Sequence, residues 1–243
     1  MRPDGWLVPG WPAPPNVHAL VTPRGGGVSV APYASLNLGG HVGDDPQAVA
    51  RNRAILRERL PAEPLWLNQV HAANVADADS AAGVPEADAS VARLPGKVCA
   101  VLTADCLPLL LCDRQGTVIA AAHAGWRGLA GGVIEATVEA MACDPATLMV
   151  WLGPAIGPSA FEVGGEVRDI FLAADHAAAD AFAPRSDDKW LADIYRLARL
   201  RLARCGVVQI SGGDFCTYRE SAHFFSYRRD QATGRMASLI WLS

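Results

Sequence analysis

Among the six histidines and six cysteines of this chain, His71, Cys106 and His123 lie at or just past expected strand ends, where they can converge on one soft metal ion. Two imidazoles and one thiolate suit zinc, which prefers nitrogen and sulfur donors. Three protein ligands leave the fourth tetrahedral position open, as in a catalytic zinc site. The ligands are far apart in sequence and form no short motif, so the residue types admit two other readings. In one, Cys106 is a nucleophile, His123 its base, and Asp105 or another polar group orients the pair. In the other, Cys106 is a buried thiol and the histidines are satisfied core residues. The stretch "HAGWRG" (His123–Gly128) adds Arg127 at a strand-to-helix turn. A helix start and an arginine together suit an anion such as phosphate, although an ordinary turn with a surface arginine has the same sequence. It is neither GxxxxGK[ST] nor GxGxxG. A second glycine-rich loop, "SLNLGGHVGDD" (Ser35–Asp45), offers Asn37 and His41 to a substrate; alternatively Asn37 holds a turn and His41 lies on the surface. Arg228 and Arg229 either face an anion or form a solvated pair. His18 and His176 carry no signal.

These groups must be held by surrounding elements. Strands are predicted at Val17–Thr22, Leu65–Val70, Val98–Thr103, Leu107–Cys112, Thr117–His123, Leu148–Leu152, Val207–Ile210, Phe224–Tyr227 and Ser238–Trp241. Helices are predicted over residues 44–60, with an Asp cap and Pro46 in the first turn, and over Gly128–Ala142, Val163–Ala174 and Leu191–Cys205. The turn Asp113-Arg114-Gln115-Gly116 joins two strands into a hairpin and breaks a pure βαβ rhythm. The class is therefore α/β, bordering on α+β, with mixed sheets flanked by helices in a single domain over residues 1–243. On this reading Cys106 and His123 sit at strand ends, where a rigid sheet holds ligands better than a mobile loop does.

Bulk properties narrow the partners. The formal net charge is −4 and no long basic run occurs, which argues against nucleic acid. Val98–Cys112 is interrupted by Thr103, Asp105 and Pro108, so no membrane span is expected. The opening residues lack the apolar core of a secretory signal, and six cysteines without a CxxC pair read as reduced thiols; the expected location is cytoplasmic.

The blocks Gln69-Val70-His71, "TADC" (103–106), "HAGWRG" (123–128), "PYASLNLGGHVGDD" and "FFSYRRDQATGRMASLIW" together resemble the bacterial YfiH family. That family is also known as the multicopper polyphenol oxidoreductase (laccase) family and as the peptidoglycan editing factor family. The resemblance runs from about Thr22 to Trp241. It implies an α/β domain with mixed sheets, grouped with cysteine hydrolases, and a metal site whose ligands match His71, Cys106 and His123, with zinc the usual metal. It further implies phosphorolysis of adenosine, inosine, guanosine and methylthioadenosine, with adenosine deamination. Gln69 joins Asn37, His41 and Arg127 as a substrate- or phosphate-binding candidate, and Asp105 is the candidate proton carrier. Ala72 departs from the glycine expected after the histidine and puts the loop shape in question.

The residues themselves choose among the family's names. The chain has six histidines and no His-x-His pair, so a multinuclear copper cluster has no ligands, although one Cys/His₂ site can accept copper as well as zinc. The H-x-E and P-C-x-x-C signature of zinc deaminases is absent. The leading expectation is a zinc-dependent purine nucleoside phosphorylase with adenosine deaminase activity, acting as a monomer or small homo-oligomer. The alternatives are a cysteine hydrolase acting on a peptidoglycan precursor, a copper polyphenol oxidase, and a non-catalytic metal- or partner-binding protein.

Overall fold

The computed structural model describes residues 5–243. Its strands are β1 (Val17–Val21), β2 (Pro64–Leu65), β3 (Val75–Asp77), β4 (Ala89–Ala92), β5 (Val98–Thr103), β6 (Leu107–Asp113), β7 (Ile119–Ala124), β8 (Leu148–Leu152), β9 (Glu162–Gly164), β10 (Phe182–Pro184), β11 (Lys189–Ala192), β12 (Gln209–Gly212) and β13 (Met236–Leu242). Its α-helices are α1 (Pro46–Arg57), α2 (Trp126–Ala130), α3 (Val133–Met141), α4 (Gly165–Ala174), α5 (Ile194–Arg204) and α6 (Tyr227–Asp230).

Side-chain alternation along two buried strands, β6 and β5, sets the layers. In β6, Leu107, Leu109 and Leu111 pack with Leu129, Val133, Ile134 and Val138 of α2 and α3 and with Leu197 and Leu202 of α5. Leu110 and Cys112 point the other way, to Cys99, Val101 and Ile240. In β5, Val98, Ala100 and Leu102 turn outward onto Leu56 and Leu60 in and beyond α1. Four layers result: α1, a four-stranded sheet in order β1-β13-β5-β2, a six-stranded sheet in order β12-β8-β6-β7-β4-β3, and the layer of α2, α3 and α5. Both of these sheets mix orientations, whereas a third, small sheet in order β10-β11-β9 is antiparallel. β6 pairs antiparallel with β7 and β8, whereas β12–β8, β3–β4 and β2–β5 are parallel. Each fully buried leucine here contributes roughly 1.5–3 kcal/mol, so strands buried on both faces fix the frame on which the site is built.

The expected class, the hairpin and α1 are present; Asp45 caps α1 by accepting from Gln47 N. Several boundaries differ. Of the expected strand Leu65–Val70 only Leu65 lies in a strand, β2, and Asn68 makes an isolated bridge to Glu86. Beyond it the Gln69 side chain does the pairing, donating to Leu102 O (2.9 Å) and accepting from Leu102 N (2.7 Å). The expected helix Gly128–Ala142 is broken into α2 and α3 at Gly132, whose φ of 95° is left-handed. Leu191–Cys205 divides where Asp193 accepts from Arg196 N and caps α5, leaving Leu191 in β11. The helix expected from Val163 begins at Gly165. Phe224–Tyr227 is not a strand: Phe224 and Phe225 are buried anchors ahead of the short α6. The final strand starts earlier, at Met236, and β12 later, at Gln209. Strands β3 and β4 lie in a polar, alanine-rich stretch that carried no alternation signal.

Candidate metal centre and substrate cavity

The site forms where the two sheets meet. β5 ends one sheet at Thr103 and β6 starts the next at Leu107, so residues 104–106 cross between layers. Asp105 makes that crossing in the left-handed region, at φ 93°. Its carboxylate is engaged at both oxygens, accepting from Thr217 Oγ1 (2.6 Å) and from Arg228 N (2.6 Å). Cys106 follows, half-buried. His123 lies in β7 opposite Pro108, on the strand face shared with Ile119 and Ala121, and is therefore buried between the sheets. His71 is exposed on a loop that turns at φ 60°.

One buried carboxylate holds the histidines in place. Asp88, with no solvent exposure, accepts from the backbone N–H groups of Val70 (3.1 Å), His71 (3.0 Å) and Ala72 (2.8 Å) and from His123 Nδ1 (2.8 Å). Burial alone would push its pKa up, but these bonds and the His123 charge bring it below the usual carboxylate range. Asp88 is therefore ionised and accepts, so Nδ1 carries the hydrogen and His123 Nε2 is free to bind a metal. The left-handed residue in this loop is His71, not Ala72. The alanine in place of the expected glycine consequently carries none of the loop's left-handed backbone.

Cys106 Sγ lies 4.0 Å from His71 Nε2, and the two imidazole rings are 4.8 Å apart, edge to face. The three donor atoms all lie within 4.8 Å of one another, the one such group of three among the described residues. Zinc ligands at about 2.0–2.3 Å from the ion need only a modest contraction of this triangle. The donor set and the carboxylate behind His123 fit a zinc ion. Burial pushes the Cys106 thiol up, but the charge and hydrogen bonds of His123 and His71 outweigh it and bring it to about 6. Burial pulls His123 down, but the Cys106 thiolate and Asp88 lift it to about 9. Without metal the pair is thus a thiolate and an imidazolium.

"HAGWRG" is built for clearance. A Cβ on Gly125 would lie 2.9 Å from Cys106 Sγ and 3.1 Å from His71 Cδ2, and one on Gly128 would lie 3.0 Å from Ala72 O. The α2 start is therefore filled by the centre's own side chains. Arg127 is exposed, stacks on Trp126 at 4.5 Å and does not reach the cavity.

The triad opens onto a cavity of about 350 Å³ whose walls include His41, Gln69, Leu102, Ala104, Tyr227 and Arg235. That size lies near the lower end of the roughly 300–1,000 Å³ usual for small-molecule sites. A cavity of similar volume beside Trp11, His18 and Trp241 contains no cysteine or carboxylate and lacks the chemistry. Of the residues expected to bind substrate, His41 and Gln69 line the cavity, although the Gln69 amide is committed to Leu102. Burial, then Arg235 and Arg53, lower the His41 pKa and keep its ring neutral at pH 7. Asn37 is fully buried and structural. It donates to Gly39 O and Asp44 and accepts from Gly39 N and Arg235 N. Arg229 is tied to Asp230 and to the carbonyls of Thr217, Tyr218 and Phe224. Arg228 donates to Glu162 O. Sequence reading missed Asp88, Tyr227 and Arg235. Tyr227 and Arg235 lay in the block "FFSYRRDQATGRMASLIW", where Arg228 and Arg229 had drawn the attention; Asp88 lay in none of the blocks.

The scaffold that carries this centre is shared with known proteins. The family described as multi-copper polyphenol oxidoreductase laccase matches residues 18–243, and the chain belongs to it. It is 58% identical over 240 residues to purine nucleoside phosphorylase PA4543 of Pseudomonas aeruginosa, covering 98% of this chain and 99% of that one. It is 57% identical over 242 residues to purine nucleoside phosphorylase YfiH of Escherichia coli, covering 97% and 98%. The crystal structure of Neisseria meningitidis protein NMB0706 superposes with a TM-score of 0.96 at 55% identity, covering 98% of this chain and 99% of that one. The YfiH resemblance seen in the motifs is thereby borne out.

Proposed function

We propose that this chain is a zinc-dependent purine nucleoside phosphorylase of the cytoplasm. On this reading it acts on adenosine, inosine, guanosine and methylthioadenosine, and deaminates adenosine at the same centre. The observation that carries the reading is the His71–Cys106–His123 triangle, braced by Asp88 and facing a nucleoside-sized cavity. The names of the relatives supply the substrate class. Thiolate and imidazole donors favour zinc, and copper is the alternative ion. When bound, zinc supplies a Lewis acid and a bound water of pKa about 7. Among the described residues no helix is long and apolar enough to cross a membrane.

The chain's residues divide the remaining work. Leu102, Ala104 and the Tyr227 ring offer the purine an apolar wall. Neutral His41 is the group able to exchange a proton with substrate in the cavity. Asp105, both of whose oxygens are occupied, positions the crossover and is not the proton carrier. In the test, purified protein is incubated with adenosine, with and without phosphate, and the products are separated by chromatography. Phosphate-dependent adenine and ribose 1-phosphate mark phosphorolysis, and inosine marks deamination. Cys106→Ala should lose both activities and the metal. Full activity in that variant overturns the scheme.

The depressed Cys106 thiol beside a carboxylate-oriented His123 favours a second reading, a cysteine hydrolase acting on a peptidoglycan precursor. It requires metal-free enzyme to be active, to be killed by iodoacetamide at Cys106 and to yield a trappable acyl-enzyme. Activity abolished by chelator, with no adduct, eliminates it.

A further inference from the structure

Among the residues lining the cavity, Arg235 is the one permanent cation, and no aspartate or glutamate lines it. Arg235 is only partly exposed. Its Nη1 donates to the carbonyls of Thr233 (3.0 Å) and Gly234 (3.1 Å), and it forms no salt bridge among the described residues. A guanidinium withdrawn from water without a carboxylate calls for an anionic partner, and its fork matches phosphate oxygens.

The surrounding chain is shaped to hold this arginine. Asn37 Oδ1 accepts from Arg235 N (2.9 Å), and Leu38 N donates to Arg235 O (3.2 Å). A Cβ on Gly39 would lie 2.8 Å from Arg235 Cγ, so the glycine leaves room for the side chain. The "SLNLGGH" loop and the start of β13 are thus joined around Arg235. The same loop brings His41 to the cavity, and the Tyr227 ring lies 6.0 Å from the guanidinium.

We propose that Arg235, flanked by His41 and Tyr227, is the subsite for the inorganic phosphate co-substrate. The assignment rests on the phosphorylase reading and gives Arg235 the part that sequence had suggested for Arg127. Arg235 holds the phosphate as one of its oxygens forms a bond to the ribose C1′. The C1′–N9 bond breaks, its electron pair leaves on the purine, and the proton of hydrogen phosphate ends on the purine. The products are free base and ribose 1-phosphate.

The test measures binding of inorganic phosphate to the metal-loaded protein by calorimetry, and the phosphate KM with adenosine saturating. Arg235→Gln should weaken phosphate binding and raise the phosphate KM at least tenfold. Its metal content should stay at the wild-type level and its adenosine KM within about twofold. Arg235→Lys, which keeps the charge and loses the fork, should fall between. A folded, metal-replete Arg235→Gln with wild-type phosphate binding and KM overturns the subsite, even if phosphorolysis itself is confirmed. Arg235-dependent phosphate binding in a protein that turns over no nucleoside keeps Arg235 as a phosphate site but overturns its co-substrate role together with the phosphorylase reading. Wild-type protein that neither binds phosphate nor turns over nucleoside overturns both. Should Arg235→Gln fail to fold, wild-type protein is treated with phenylglyoxal and mapped by mass spectrometry. Phosphate should protect Arg235 from modification, and absence of protection overturns the subsite.

Discussion

Asp88 receives four hydrogen bonds in a place with no water, so the chain beside His71 and the tautomer of His123 depend on one side chain. Asp88→Asn keeps the shape but places an NH₂ where one oxygen accepted. At least one buried donor then loses its partner, at a cost of about 2–4 kcal/mol. Metal affinity should fall roughly 10–100-fold. Chemical denaturation and a zinc-competition titration read the two effects separately, and loss of neither would deny Asp88 its part. A second expectation concerns protons. In the metal-free centre His123 titrates near 9 and Cys106 near 6, so at pH 7.5 the thiol is already ionised and the imidazole still protonated. A metal takes the neutral imidazole, so binding should expel about one proton from His123. Zinc calorimetry in buffers of different ionisation enthalpy should show this release, diminishing above pH 9. The three ligands were legible as residue types and, through the family motifs, as a set. Asp88 was not, because nothing in "EADAS" separates a buried acceptor of backbone N–H groups from a loop aspartate.

Alternation made the long buried elements readable, and local side-chain bonding hid the rest. β5 was read with its observed ends because its continuous apolar run is short for a helix, rich in β-branched residues and bounded by Gly96-Lys97 and by Ala104-Asp105. The run through Trp66, Leu67 and Val70 looked equally apolar, yet the Gln69 amide substitutes for the strand there, and periodicity does not reveal such a bond. Aromatic pairs mislead similarly: Phe224 and Phe225 are core plugs ahead of a four-residue helix. The β6–β7 hairpin was recognised by its turn residues, and the structure shows what closes it. The Asp113 carboxylate accepts from Thr117 N (2.7 Å), Thr117 Oγ1 (2.7 Å) and Val118 N (3.1 Å). Burial would raise its pKa, but these bonds win and lower it. A carboxyl with a depressed folded pKa stabilises fully above its unfolded value, about 4. That contribution is lost as pH falls through the folded pKa. Asp113→Ala should therefore cost about 1–3 kcal/mol at pH 7, and less as the pH drops below 4. Denaturation of wild type and variant across pH 3–7 should show the two stabilities converging at the acid end. A constant gap would assign the loss to packing instead.

Across the whole molecule, two sheets and two helix layers meet at one short crossover, and the chemistry sits on it. β5 belongs to one sheet and β6 to the other, so residues 104–106 carry the chain from one sheet to the next at the edge of the core that the two sheets share. Asp105 ties this crossover to the C-terminal segment through Thr217 and Arg228 N, and that segment continues to Tyr227 and Arg235 at the cavity. The same residue thus sets where Cys106 emerges and where the opposite wall stands. A clasp and a proton carrier respond differently to substitution. In Asp105→Ala both bonds are lost, and the buried Thr217 hydroxyl and the Arg228 N–H are left without their acceptor. The expected cost is about 1–3 kcal/mol, or roughly 2–12 °C in Tm for a chain of this size. The KM values for nucleoside and phosphate should rise together as the two walls separate, while the shape of the kcat–pH profile stays that of wild type. A proton carrier would behave in the opposite way: Tm and KM would hold, kcat would collapse, and one limb of the pH profile would disappear. Calorimetric melting beside a pH series of initial rates decides between them, and a lost limb with an unchanged Tm would return Asp105 to the reaction itself.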